Sequence, residues 1–209
     1  MVRVKICGMT NVADALQAVE AGADAVGFIF VPRTPRYVEP AVAAAIIRRL
    51  PPFVLPVGVF WDHAPDEVRA IADLCGFGAL QFHGDEPPEY VAQFRQRVIK
   101  TVKVKDETSL RGLDDYQVSA FLLDSPVRWS EGEVRPAFSW TLARATAQEH
   151  RVILSGGLTP ETVAEAVRLV RPYGVDVNSG VEAIPGRKDP EKVRAFIRQA
   201  KMGGAESDG

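Results

Sequence analysis

The 209-residue chain holds only two cysteines, Cys7 and Cys75, in no Cys-x-x-Cys pair and beside no histidine at metal-ligand spacing. That excludes a disulfide framework and a cysteine-based metal centre, and it points to reduced thiols in a cytosol, with no metal expected. Long apolar runs are missing as well. No stretch reaches the roughly 18 residues of a membrane span, and the start Met1-Val2-Arg3-Val4-Lys5 does not read as a signal peptide, so a cytoplasmic protein without membrane contact is expected. Excess charge of either sign is absent too: 25 Lys and Arg face 27 Asp and Glu, for a formal net charge of -2, and the cations are scattered. Such a surface has no basic field for a phosphate backbone, which argues against nucleic acid as a partner. The first strand candidate is followed by Cys7-Gly8-Met9-Thr10 and lacks the G-x-G-x-x-G turn that an open dinucleotide-binding sheet would bring.

What the chain has is an ordinary core-forming composition, 46% hydrophobic and 25% charged, and a regular alternation of two patterns. Short apolar runs, most of them with β-branched residues, read as strands at Arg3–Cys7, Ala25–Phe30, Val54–Phe60, Ala79–Phe82, Val98–Val104, Ala120–Asp124, Arg151–Ser155 and Val175–Asn178. Segments of helical period read as helices at Val12–Ala21, Ala41–Leu50, Pro65–Cys75, Pro88–Arg97, Ser139–Glu149, Pro160–Arg171 and Pro190–Lys201. The fifth connection, around Ser109 to Tyr116, carries the weakest pattern. Thr159-Pro160-Glu161 and Asp189-Pro190-Glu191 each offer a capping oxygen before a proline at the first helical position. The expectation is one α/β domain over residues 1–202, a single (β/α)8 TIM barrel, shorter than the roughly 250 residues typical of that fold. The polar tail from Gly203 to Gly209 is expected to be disordered. Whether the chain is a monomer or a homodimer is not written in the sequence.

In such a barrel, chemistry sits at the C-terminal ends of the strands. Period-2 alternation puts Lys5 and Cys7 on one face, where an ammonium would favour a thiolate able to act as a base; the bland alternative is a small buried thiol. Asp124 ends an apolar run, a costly place for an acid unless it faces a polar mouth; the alternative is a helix cap. Gln81 and His83 share a face, and the imidazole either orients a neighbour or takes part directly. His63 and His150 are read as surface or packing residues. Arg33 and Arg36 stand in a proline-stiffened loop suited to an anion, or to plain solvent exposure. The loops after strands seven and eight, Ser155-Gly156-Gly157 and Asn178-Ser179-Gly180, combine glycines with adjacent helix starts and read as a phosphate site for a small phosphorylated substrate. A Schiff-base enzyme using Lys100 or Lys103, a different phosphate-handling isomerase or lyase, and a non-catalytic phosphate-binding barrel all remain open on these residues alone.

The strings Lys5-Ile6-Cys7-Gly8-Met9-Thr10, Gly27-Phe28-Ile29-Phe30 with Thr34-Pro35-Arg36, Val57-Gly58-Val59-Phe60, Gln81-Phe82-His83-Gly84, Leu154-Ser155-Gly156-Gly157-Leu158-Thr159-Pro160, Gly174-Val175-Asp176-Val177-Asn178-Ser179-Gly180-Val181-Glu182 and Pro185-Gly186-Arg187-Lys188-Asp189 occur in one order along the chain. Together they resemble the phosphoribosylanthranilate isomerase family of tryptophan biosynthesis, from Val4 to about Lys192. The resemblance implies a cofactor-free Amadori rearrangement with Asp124 as general acid and Cys7 as general base. It also implies that Arg36 meets the anthranilate carboxylate and that Gly156, Gly157, Ser179 and Gly180 hold the phosphate. Lys5, His83 and Asn178 are counted with the substrate and phosphate contacts on their strand-end positions. The chain departs from the family in the sixth loop, where Glu131-Gly132-Glu133-Val134-Arg135-Pro136-Ala137-Phe138-Ser139-Trp140 replaces a glycine-rich segment.

Overall fold

The computed structural model describes residues 1–125 and 140–205. Eight parallel strands close into a barrel in chain order: β1 (Arg3–Ile6), β2 (Ala25–Ile29), β3 (Leu55–Phe60), β4 (Ala79–Phe82), β5 (Arg97–Lys103), β6 (Ala120–Asp124), β7 (Val152–Leu154) and β8 (Gly174–Val177). The seam is the pairing of β1 with β8, which sets Lys5 opposite Asp176. Around the barrel run α1 (Val12–Glu20), α2 (Pro40–Ile47), α3 (Pro65–Cys75), α4 (Pro88–Val91), α5 (Trp140–Glu149), α6 (Val163–Val170) and α7 (Pro190–Ala205). No helix among the described residues is long and apolar enough to cross a membrane.

The expected elements are all present, and the departures have local causes. The fourth helix was expected to run to Arg97 but α4 stops at Val91, because Arg97 is recruited as the first residue of β5, opposite Ala79. The residues between are held by ring contacts of Phe94 with Phe82, at 4.9 Å between centroids, and with Tyr90, at 5.5 Å. The fifth connection is two short 3-10 turns, Glu107–Leu110 and Leu113–Asp115. The sixth crossover helix was expected to start at Pro160 under a Thr159 cap. It starts at Val163: the Thr159 amide donates to Thr162 Oγ1 at 3.0 Å, and a turn fills residues 160–162. Asp189 does cap as expected, its Oδ1 accepting from the Glu191 and Lys192 amides at 2.9 and 3.1 Å. Helix α7 continues to Ala205, past the point where the tail was expected to begin, with Gly203 and Gly204 buried. After β8 an unforeseen antiparallel pair, β9 (Glu182–Ile184) and β10 (Arg187–Lys188), folds beside the barrel.

Two apolar regions position the site. The larger lies between strands and helices; the smaller fills the lower barrel interior with Val57, Ala79, Ile99, Ala120, Leu122 and Ile153. Burying a Val, Leu or Ile side chain there contributes about 1.5–3 kcal/mol. Two residues further along their strands, the same inward faces carry the buried polar groups Gln81 and Thr101, with Lys5 and Asp176 across the seam. A layer later come Cys7, Ile29 and Val59, where the barrel opens.

Candidate active site

One hollow, open to solvent at its mouth, lies over the C-terminal ends of the strands. Cys7 and Asp124 both line it, as do Arg36, Gln81, His83, Asp176, Ser155, Gly156, Gly157 and the Asn178–Gly180 segment. Cys7 extends β1 by one hydrogen bond, its amide donating to Val177 O at 2.8 Å, so the side chain is fixed by the seam. Asp124 is the last residue of β6, and its Oδ1 accepts from the Ser125 amide at 2.8 Å. His83 Nε2 stands 3.5 Å from Asp124 Oδ2, and the His83 ring stacks on Trp61 with centroids 5.2 Å apart. The imidazole therefore sits where it can orient the carboxyl. His63 and His150 are packing residues: His63 bridges Phe30 O and Trp61 O, and His150 lies edge-on to Phe121.

The thiol is not activated in the simple way expected from its neighbour. Burial pushes the Cys7 thiol up from its ordinary value, the Lys5 ammonium pulls it back down, and Asp176 raises it again; burial wins. Lys5 is itself anchored, donating from Nζ to Asp176 Oδ1 at 2.8 Å with both groups buried. Burial lowers the Lys5 value, but Asp176 and Cys7 together outweigh it and hold the ammonium charged. Lys5 is thus a fixed positive charge under the thiol, held away from the mouth by its carboxylate. It is not among the residues lining the hollow and stands one layer below the place where a substrate contact was expected. Cys75 is buried elsewhere, its Sγ 3.4 Å from Pro40 O and its pKa pushed up to about 11 by burial.

Arg36 follows β2 in the turn that returns at Tyr37, which bridges to Ile29. Its guanidinium is buried and forked onto Glu182, Nε to Oε1 at 2.9 Å and Nη2 to Oε2 at 2.7 Å. Lys188 Nζ joins the same carboxylate at 3.1 Å and also donates to Asn178 Oδ1 at 2.9 Å. Burial would raise the Glu182 carboxyl, yet the Arg36 fork and the Lys188 charge hold it below the ordinary carboxylate value. Nη1 of Arg36 has no hydrogen-bond partner among the described residues, which leaves one edge of the fork for a second anion. Asn178 lines the hollow, but its side-chain oxygen is spent on Lys188.

The glycine loops are shaped by space. Gly156 has φ of +80°, and a Cβ there would fall 2.9 Å from Asp124 Oδ1 and 2.7 Å from the Ser125 amide. A Cβ on Gly180 would meet Leu158 O at 2.0 Å, so the two loops touch backbone to backbone. The short 3-10 turn Ser179–Val181 takes the place of a full helix start after β8.

Sequence reasoning missed Asp176, Glu182 and Lys188. Asp176 had a signal: an acid in the middle of an apolar strand, in register with Lys5 once the barrel closes. Glu182 and Lys188 stood in the strings that carry the family resemblance, but with no role of their own. Lys100, kept open as a Schiff-base residue, is ion-paired with Glu86 at 2.9 Å, and Lys103 lies over the Trp61 ring at 3.9 Å; neither lines the hollow. The altered sixth loop, residues 131–139, lies outside the described residues. No cluster of metal-ligating side chains occurs among the described residues.

Comparison with known proteins places the chain in a family. The family model for N-(5'-phosphoribosyl)anthranilate isomerase matches residues 4–199. The N-(5'-phosphoribosyl)anthranilate isomerase of Pelobacter propionicus is 49% identical over 207 residues, which is 99% of either chain. A phosphoribosylanthranilate isomerase of Thermotoga maritima superposes with a TM-score of 0.91 at 45% identity, covering 97% of this chain and 100% of that one. Another solved isomerase, in complex with reduced 1-(o-carboxyphenylamino)-1-deoxyribulose 5-phosphate, gives 0.88 at 44% identity, with the same coverage of both chains. The chain accordingly belongs to the phosphoribosylanthranilate isomerase family.

Proposed function

We propose that this protein converts N-(5-phosphoribosyl)anthranilate to 1-(2-carboxyphenylamino)-1-deoxyribulose 5-phosphate in tryptophan biosynthesis, using Cys7 and Asp124 as base and acid. The family membership and the relative solved with a reduced form of that product support the reaction. The observation that carries the assignment of roles is that a thiol and a carboxyl from opposite arcs of the barrel, on β1 and β6, line one hollow.

The steps need only proton transfers. Asp124 gives its proton to the ribose ring oxygen, the C1–O bond breaks, and the nitrogen lone pair forms the C1=N bond of a protonated Schiff base. The Cys7 thiolate then removes the C2 proton, the electron pair becomes the C1=C2 bond, and the C1=N π pair returns to nitrogen, giving a neutral enolamine. Tautomerisation of the enol yields the ketone. Lys5 beneath the thiol stabilises the thiolate that the dry site disfavours, and His83 steers the Asp124 carboxyl. The free edge of Arg36 receives the anthranilate carboxylate, and the backbone of Gly156, Gly157, Ser179 and Gly180 receives the phosphate.

The test is fluorescence-monitored consumption of phosphoribosylanthranilate by the wild type and by Cys7→Ser and Asp124→Asn. Both variants should lose turnover with unchanged circular dichroism. Persistent turnover in either would remove that residue from its role, and a lysine adduct trapped by borohydride would replace the scheme with Schiff-base chemistry.

A further inference from the structure

We propose that Gln81 is a substrate contact that takes a hydroxyl of the substrate's sugar, an assignment that rests on the reaction inferred above. Gln81 stands in β4 with its side chain in the barrel; it is 2% exposed and lines the hollow. One half of its amide is occupied: Nε2 lies 3.2 Å from Thr101 Oγ1 and 3.5 Å from His83 Nδ1. The other half, Oε1, is buried without a hydrogen-bond partner among the described residues. A buried amide oxygen left unpaired is unfavourable, and a Gln kept at such a place is explained by a group that meets it from the hollow.

The chemistry of that group follows from what its neighbours already do. The glycine loops after β7 and β8 suit the phosphate, and the free edge of Arg36 suits the anthranilate carboxylate, so both charged ends of the substrate have partners away from β4. What remains for β4, across the barrel from β8, is the neutral middle of the sugar. A hydroxyl also meets an amide in either orientation. Thr101 Oγ1 donates or accepts equally well, so turning the amide over would leave Nε2 facing the hollow in place of Oε1, and a hydroxyl satisfies both. An aniline N–H could answer only the oxygen.

The discriminating variant is Gln81→Met, similar in length and without polar atoms. Binding of the reduced product analogue, reduced 1-(o-carboxyphenylamino)-1-deoxyribulose 5-phosphate, is measured by titration, alongside competitive inhibition by inorganic phosphate and the melting temperature. The analogue should bind about tenfold more weakly, the loss of one hydrogen bond. Phosphate inhibition should not change. Unchanged analogue affinity would overturn the assignment, as would parallel loss of phosphate inhibition, which would mark Gln81 as scaffold; the melting temperature, which also registers the lost bond from Nε2 to Thr101 Oγ1, serves to show that the variant is folded under the conditions of the titration. If Gln81→Met does not fold, Gln81→Asn retracts the amide by one methylene and is read the same way. Wild-type turnover separates this idea from its premise. If the wild type does not consume phosphoribosylanthranilate, the reaction is wrong; if it does and the variant binds normally, only Gln81 is misassigned.

Discussion

Lys5 Nζ reaches Asp176 Oδ1 at 2.8 Å across the seam where the first and last strands of the barrel meet, and the Cys7 thiol sits on the same inward face one step nearer the mouth. The ion pair thus does two jobs. It neutralises an ammonium in a buried layer that could not otherwise carry one, and it pins that ammonium under the sulfur. Asp176 is the reason the charge stays and also the reason its help to the thiolate is incomplete, since its own negative charge raises the thiol.

Replacing Lys5 with Met should therefore move the ascending limb of the pH–rate profile to higher pH. The base works as a thiolate, so activity rises as pH climbs through the Cys7 value; without the ammonium, burial and Asp176 act on the sulfur unopposed and push that value further up. Profiles of kcat/KM for wild type and Lys5→Met would show it, and a limb that does not move, or moves down, refutes the electrostatic role. Stability carries the same sign. A thiol whose folded value lies above its unfolded one stabilises the fold fully below the unfolded value and loses that contribution as pH rises through the folded one.

Glu182 gives the opposite sign at acid pH. Its carboxyl is held below the ordinary 4.5 by Arg36 and Lys188 against the pull of burial. The contribution is complete above the unfolded value and disappears as pH falls through the folded one. Glu182→Gln should cost about 3–5 kcal/mol at neutral pH, since two buried cations lose their shared anion. Urea unfolding at a series of pH values should also show a shallower acid decline for the variant than for the wild type.

Arg36→Lys separates the fork from the charge. A lysine keeps one positive charge but cannot hold Glu182 with two bonds and a second carboxylate with a free edge. KM should rise by about 10–100-fold, the loss of one charge-assisted hydrogen bond of about 1.5–3 kcal/mol, with kcat changed far less. Equal falls in kcat and kcat/KM would instead place Arg36 at the reacting atoms.

The barrel was legible because its signal is repeated: eight short apolar runs, each followed by a connecting segment, leave few topologies. Cys7 and Lys5 were readable as a pair because strand alternation is local. Asp176 was half-readable, since its partner becomes evident only when the sheet is known to close. The partnership of Glu182 was not readable. It lies 146 residues from Arg36, and only the folding of the β9–β10 hairpin beside the barrel brings its carboxylate to the guanidinium. Helix lengths failed for a related reason: helical period continues past Val91, but the strand that follows claims Arg97 for the sheet.

Gly156 is the residue through which the phosphate loop and the acid constrain each other. Its φ of +80° costs an alanine about 1–2 kcal/mol, and the added methyl would stand 2.7 Å from the Ser125 amide nitrogen and 2.9 Å from Asp124 Oδ1. The Asp124–Ser125 segment must give way, and the carboxyl bonded to that amide shifts with it, away from the geometry His83 supports at 3.5 Å. Displacing an acid by a fraction of an ångström weakens proton transfer more than it weakens binding at a distance. Gly156→Ala should therefore lower kcat by at least about tenfold while the protein stays folded, with competitive inhibition by inorganic phosphate reduced less than turnover. If phosphate inhibition is lost and kcat survives, the glycine serves the anion alone, and the mechanical link between β7 and the acid on β6 is not there.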